Sequence, residues 1–302
     1  MCRYALISTL FAARAFAQDY ADDGPIAVTV TTGSVTVQGV AFAYDLYTPA
    51  TGGPWPLIAL GHGFSNQKSA MQGIARGLAS RGNFVVVPQF PFLDSNHARN
   101  GQALLASLDA VVQAQPVRVD AARQAVAGHS AGGLSAMLAA LARPSLKAIV
   151  ELDGVDGMTA LTPAQLSTVS APTLLLFAEP AMCNTQNNTS AWYAALSGPK
   201  ARFKVVSALH CDPTQPADAV CTIGCPGTDL QRHRRFKRAA IAWLQYFVSC
   251  EVAARTSIDG AEFQASKAAA ALAADQFDGL PAAPCGSGGG SGGTAGGGAA
   301  GG

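Results

Sequence analysis

Ser130 stands in the run Val126-Ala-Gly-His-Ser-Ala-Gly-Gly-Leu134, inside the spacing Gly128-x-Ser-x-Gly132. A serine hydroxyl becomes a nucleophile when a neighbouring base takes its proton and an acid orients that base. The string has chemical meaning only if a strand precedes it, a helix follows it, and the partners exist elsewhere in the chain. Ala125-Val-Ala127 has the apolar character of a short buried strand, and Leu134-Ser-Ala-Met-Leu-Ala-Ala-Leu141 that of a helix. Gly128 and Gly132 let strand and helix approach closely, which leaves Ser130 Oγ exposed above the strand end.

Position selects the base from five histidines. His210, in Val205-Val-Ser-Ala-Leu-His-Cys-Asp-Pro213, follows Ser130 in the chain and sits where a predicted strand exits into a loop. His62 and His129 lie in glycine-containing loop motifs, where local packing or hydrogen bonding is expected; His129, beside the nucleophile, is also a candidate substrate contact. His97 precedes the nucleophile, and His233 belongs to the basic helix Arg232-His-Arg-Arg-Phe-Lys-Arg238, read as a solvated face. Asp153 ends the predicted strand Ala148-Ile-Val-Glu-Leu152 and is the expected acid, because parallel strands deliver their last residues to one edge of a sheet. Asp156 lies three residues on, and Glu179, ending the next strand, is the reserve. Asp153 has a plainer reading as a turn former with Gly154.

Attack of a hydroxyl on a carbonyl creates an oxyanion, and a fixed backbone N–H aimed at it is worth about 3 kcal/mol. The N–H of Ala131, just after the nucleophile, and that of Phe64, in Gly61-His-Gly-Phe64, are the expected donors. The Phe64 ring is then a candidate substrate contact.

These residues need a frame. Ile26–Thr31, Ser34–Gln38 and Val40–Tyr47 alternate with period two around Gly33 and Gly39, as antiparallel hairpins do. Continuous apolar runs follow at 57–60, 84–87, 125–127, 148–152, 173–177 and 203–206. Helical segments separate them at about 68–80, 102–114, 131–142 and 189–196, with a last one at 230–248. The fold class is therefore α/β, with a mostly parallel central sheet, N-terminal antiparallel hairpins and helices on both faces.

With 302 residues, 49% hydrophobic and 13% charged, the chain can bury a sizeable core. A formal net charge of +1 with no long basic run gives no electrostatic case for nucleic acid. Residues 1–17, with a basic residue, an apolar run and the ending Ala15-Phe-Ala17, read as a secretory signal, although Arg14 interrupts the apolar part. No other stretch approaches the roughly 18 apolar residues of a membrane span. Residues 18–285 then form the catalytic domain, and the glycine-rich 286–302 a flexible tail that leads to an anchor or another module, or is an expression scar.

Cys183, Cys211, Cys221, Cys225, Cys250 and Cys285 remain after the signal, an even number that suits disulfides in an exported protein. Cys250 with Cys285 would tie the last helix to the C-terminal segment, leaving the other four to pair among themselves. The alternative for Cys221-Thr-Ile-Gly-Cys225 is zinc, with His210 and Cys211 as the only nearby second pair; disulfides are preferred and no metal or other cofactor is expected.

Leu60-Gly-His-Gly-Phe64, Leu78-Ala-Ser-Arg-Gly-Asn-Phe-Val-Val-Val-Pro-Gln89, Gly128-His-Ser-Ala-Gly-Gly133, Leu152-Asp-Gly-Val-Asp-Gly157 and Ile241-Ala-Trp-Leu-Gln-Tyr-Phe247 together resemble the α/β-hydrolase superfamily. The resemblance runs from about Pro56 to Val248. Within the superfamily it points to the branch of chlorophyllases, platelet-activating-factor acetylhydrolases and cutinase-like polyester hydrolases. Chlorophyllase-type sequences place the acid after the strand that follows the nucleophile helix, which supports Asp153. The Trp243 helix and its following cysteines resemble polyester hydrolases, which carry the acid one strand later; that position falls on Ala181 here, and their tryptophan position on Val155. The expectation is a secreted, monomeric, cofactor-free serine carboxylic-ester hydrolase acting on small or polymeric esters, with surface attachment through a further C-terminal region as one form of its export. A polyester hydrolase, a peptidase and a hydrolase fold retained only for binding are the alternatives.

Overall fold

The computed structural model describes residues 19–185, 187–225 and 227–285; the signal-like segment and the glycine-rich tail lie outside them. The elements follow in the order β1 (Val28–Val37), β2 (Val40–Pro49), β3 (Trp55–Gly61), α1 (Gln72–Ala79), β4 (Phe84–Pro88), α2 (His97–Ala114), β5 (Val119–His129) and α3 (Ala131–Ala142). They continue with β6 (Ile149–Leu152), α4 (Pro163–Leu166), β7 (Thr173–Phe177), α5 (Thr189–Ala195), β8 (Lys200–Val205), α6 (Leu230–Phe247), α7 (Arg255–Ile258), α8 (Ala261–Ala268) and β9 (Leu272–Asp278).

One sheet holds the strands in the order β1-β2-β4-β3-β5-β6-β7-β8-β9. From β4 to β8 every pair is parallel, whereas β1, β2 and β9 run antiparallel at the margins. The apolar runs have the composition of strands covered on both sides, and they are. Val85, Val87, Val150, Leu152, Leu174 and Leu176 join one core beneath α1, α6 and α8. Phe84, Val86, Val126, Ile149 and Leu175 alternate with them into a second core beneath α2, α3 and α5. Parallel pairing brings the loops after β3 through β8 to one edge, where Phe64, Ser130, Asp153, Glu179 and His210 lie.

Three local expectations are corrected. Gly33 is not a turn: β1 runs straight through it, pairing Gly33 with Tyr44, so one long hairpin replaces two short ones. The glycine is needed because a Cβ there would stand 2.3 Å from the Tyr44 ring. A ninth strand, β9, covers β8. It has no long apolar run because it lies at the edge, alternating buried and exposed residues.

The third correction concerns the basic run on α6. Arg238 donates to both carboxylate oxygens of Asp19 (2.7 and 2.6 Å), Arg234 to Asp22 (2.5 Å) and Lys237 to Asp23 (2.7 Å). Tyr20, held in the same segment, donates to Glu251 (2.5 Å). The run is therefore strapped by residues 19–23 rather than solvated, and His233 is buried, its pKa pulled down to about 4 by desolvation. The Arg238 hydrogen bonds hold Asp19 down at about 2, against 3.8 for a free aspartate. A carboxylate with a depressed folded pKa contributes stability above its unfolded value and loses it as pH falls through the folded one. Asp19→Asn is therefore expected to unfold at a lower temperature than the parent at about pH 5, with the gap closing as pH drops from about 4 towards 2. Thermal unfolding of both proteins at the two ends of that window checks this, and a constant gap would contradict it.

Candidate active site

Ser130 links β5 to α3 with φ 57° and ψ −125°, a backbone conformation that L-residues rarely adopt. The chain is forced into it by tight packing, since a Cβ on Gly128 would lie 2.1 Å from the Gly132 carbonyl oxygen. The Ser130 amide donates to Leu152 O (3.0 Å), and its carbonyl accepts from Gly133 N (2.9 Å) and Val155 N (3.3 Å). The Ser130 turn is thereby tied to the end of β6, where Asp153 begins the next loop.

Asp153 itself has a positive φ of 50°. Its amide donates to Leu176 O (2.7 Å), and its Oδ1 accepts from Ala178 N (2.8 Å). That leaves Oδ2 to accept from His210 Nδ1 at 2.6 Å. With the Nδ1 proton committed there, His210 Nε2 is free to accept from Ser130 Oγ at 2.9 Å. All three side chains are almost completely buried. Sequence reasoning named these three residues, and the fold brings them together in one hydrogen-bonded line. Glu179 is not part of it: its carboxylate pairs with Lys204 (3.0 Å) and accepts from Ser207 N (3.2 Å). Asp156 is likewise occupied, accepting from Ala160 N (2.7 Å) and Leu161 N (2.9 Å).

The amides of Ala131 and Phe64 donate to no acceptor among the described residues, and both residues line the cleft with Ser130. His62 fixes the Phe64 loop. Its Nε2 accepts from Phe90 N (2.8 Å), so Nδ1 carries the proton and donates to Gly63 O (2.9 Å). Burial lowers its pKa to about 4, keeping that neutral tautomer. His129 lines the cleft as expected of a substrate contact, but it is only 1% exposed and its Nε2–H donates to His210 O (2.6 Å). Desolvation takes its pKa down to about 3. The ring therefore braces the His210 backbone.

The cleft encloses about 400 Å³ and is bounded by Phe64, Leu134, Val155, Met158 and Val220. Two disulfides form part of its wall, Cys183–Cys225 and Cys211–Cys221, while Cys250–Cys285 ties the end of α6 to the C-terminal segment. Cys221 and Cys225 are thus bonded to two other cysteines, which removes the zinc reading. Among the described residues no helix is long and apolar enough to cross a membrane.

Two contributors escape sequence reasoning. Asp212, fully buried, accepts from Leu209 N (2.7 Å) and Asp229 N (2.8 Å) and pairs with Arg232 (3.2 Å), so it holds the loop on both sides of His210. Its signal is a carboxylate two residues after His210, immediately before a proline. His97, at the start of α2, adds an imidazole to the cleft wall; chain order bears on the choice of base and says nothing of the walls.

A serine on a strained strand-to-helix turn, hydrogen-bonded to a histidine at the carboxyl edge of a mostly parallel sheet with helices on both faces, is the arrangement of the α/β-hydrolase fold. Within that class the chain belongs to the PET hydrolase-like family, whose model matches residues 14–251. It is 31% identical over 203 residues to a bis(hydroxyethyl) terephthalate hydrolase of Streptomyces coelicolor, covering 63% of this chain and 62% of the relative. It is 29% identical over 180 residues to a cutinase of Thermobifida alba (56% and 57%) and 25% over 214 residues to a cutinase of Thermobifida fusca (67% and 63%). The chain thus spans less than two thirds of the length of each of these relatives.

Proposed function

We propose that the protein is a secreted serine carboxylic-ester hydrolase working through an acyl-enzyme. The observation that carries this reading is the line Ser130 Oγ to His210 Nε2 to Asp153, at 2.9 and 2.6 Å. Ser130 Oγ attacks the ester carbonyl while His210 Nε2 takes its proton. The new oxyanion is held by the amides of Ala131 and Phe64, and Asp153 stabilises the imidazolium. Collapse breaks the bond to the alcohol, which leaves with the proton from His210. Water, deprotonated by His210, then attacks the acyl-enzyme, releases the acid and restores Ser130.

Apolar esters, polyester segments among them, fit the surroundings of the site. Phe64, Phe92, Leu93, Met158, Met182 and Ile223 are all exposed, and all lie in the connections that follow β3, β4, β6, β7 and β8 at the carboxyl edge of the sheet. Two of them, Phe64 and Met158, line the cleft that holds Ser130, and large exposed apolar side chains at an opening favour an apolar partner. Relatives named as cutinases and as a terephthalate-ester hydrolase support the same class. Three disulfides favour an oxidising compartment; with them we read residues 1–17 as an export signal and 18–285 as the catalytic domain.

A fluorophosphonate probe tests the reading directly. The purified protein is expected to take up one adduct, mapped by mass spectrometry to the peptide holding Ser130. Absence of labelling in protein with its disulfides intact would favour a fold kept for binding.

A further inference from the structure

Glu151 stands on β6, two residues before Asp153, and is fully buried. Neither of its carboxyl oxygens has a hydrogen-bond partner among the described residues. An unpaired buried carboxylate is so costly that such a group takes a proton instead; burial first, and the Asp153 charge second, push its pKa well above the ordinary carboxyl range. Strand alternation turns the side chain, like that of Ile149, towards α3 and α5. A Cβ on Gly133 would come within 2.5 Å of Glu151 Oε1, and one on Gly154 within 1.8 Å. The carboxyl thus fills the space left by two glycines, one in the first turn of the nucleophile helix and the other next to Asp153.

The charges around it are few. Gly128 on β5 and Leu175 on β7 lie opposite it in the sheet. No residue of α3 is ionisable, and Tyr193 is the one ionisable residue of α5, beside Trp192, which packs at Gly154. β5 ends in His129, whose ring is held at His210 O. Asp153 is the charge that acts on Glu151.

We propose that Glu151 is a positioning residue of the hydrolytic site: its un-ionised carboxyl wedges the nucleophile helix against the Asp153 turn, and its ionisation in alkaline solution disables the site. The step is loss of one proton to solvent hydroxide. The anion left behind sits at the first turn of α3, whose positive end and Ala131 amide serve the oxyanion, and it offsets that field. It also sets a second negative charge beside Asp153.

The inference rests on the hydrolase reading, and the experiment separates the two. The parent and Glu151→Gln are compared by kcat/KM for a p-nitrophenyl ester from about pH 6 to pH 10, with Glu151→Met as a second neutral replacement should the amide not fold. Difference infrared spectroscopy follows the neutral carboxylic-acid band over the same range. The parent is expected to lose activity about tenfold on an alkaline limb that coincides with loss of that band. Glu151→Gln is expected to lack the band and the limb, with its neutral-pH activity lowered about two- to fivefold because the wedge is changed. An alkaline limb shared by both proteins, or none in the parent, overturns the proposal while leaving the hydrolase reading intact. No turnover in the parent at any pH removes both.

Discussion

Ser130→Ala is expected to fold as the parent does and to hydrolyse p-nitrophenyl butyrate about 10⁵- to 10⁶-fold more slowly. The magnitude follows from the role: without Oγ there is no acyl-enzyme, and only the oxyanion donors and binding remain to speed direct attack by water. Folding should survive because the removed atom makes one hydrogen bond, to His210 Nε2. The strained backbone at φ 57° is held by its neighbours, through Leu152 O, Gly133 N and Val155 N, and alanine tolerates it as serine does. Circular dichroism and the thermal midpoint check folding, and steady-state assay of the same sample checks the rate. A folded variant within tenfold of the parent would mean that turnover does not pass through Ser130.

Asp153→Asn is expected to lower kcat by roughly 10³- to 10⁴-fold, whereas Glu179→Gln should change it by less than about threefold. The amide has the size of the carboxylate and can keep its oxygen on Ala178 N, so its NH₂ then faces His210 Nδ1. A donor there demands an unprotonated Nδ1, which moves the imidazole proton to Nε2 and leaves nothing to accept from Ser130. Charge loss acts in the same direction, because the imidazolium formed in the reaction no longer has its anion. Glu179 holds Lys204 and the Ser207 amide instead, a local contact on the next strand. Pre-steady-state measurement of the acylation burst in both variants decides the assignment. A large loss in Glu179→Gln with a small one in Asp153→Asn would reverse it.

The alternation of apolar strands with helices was legible in the chain because strands buried on both faces must be continuously apolar, and this alone indicates a mostly parallel sheet. Ser130 was legible for a related reason: a turn that sharp needs small residues at fixed spacing, and Gly128 and Gly132 supply them. His210 followed from chain order. Residues on exposed edges carried a weaker signal. β9 alternates over a surface half in water, and Gly33 resembles a turn until Tyr44 is found lying across it.

The carboxylate partner of His210 shows where sequence stops. Asp153 and Glu179 each end a parallel strand at the same edge, and either order of elements can supply an acid, so local sequence ranked them without separating them. Separation came from which carboxylate the loop after β8 carries His210 towards, and which one Lys204 has already occupied. The pairing of six cysteines, the strapping of basic α6 by Asp19, Asp22 and Asp23, and the unpartnered state of Glu151 were likewise decided in three dimensions. Chain composition and periodicity fix which residues are buried and which turns are possible, since those depend on neighbours a few residues away. Which charged groups meet depends on contacts between residues far apart in the chain, and those exist only once the sheet has set its loops side by side.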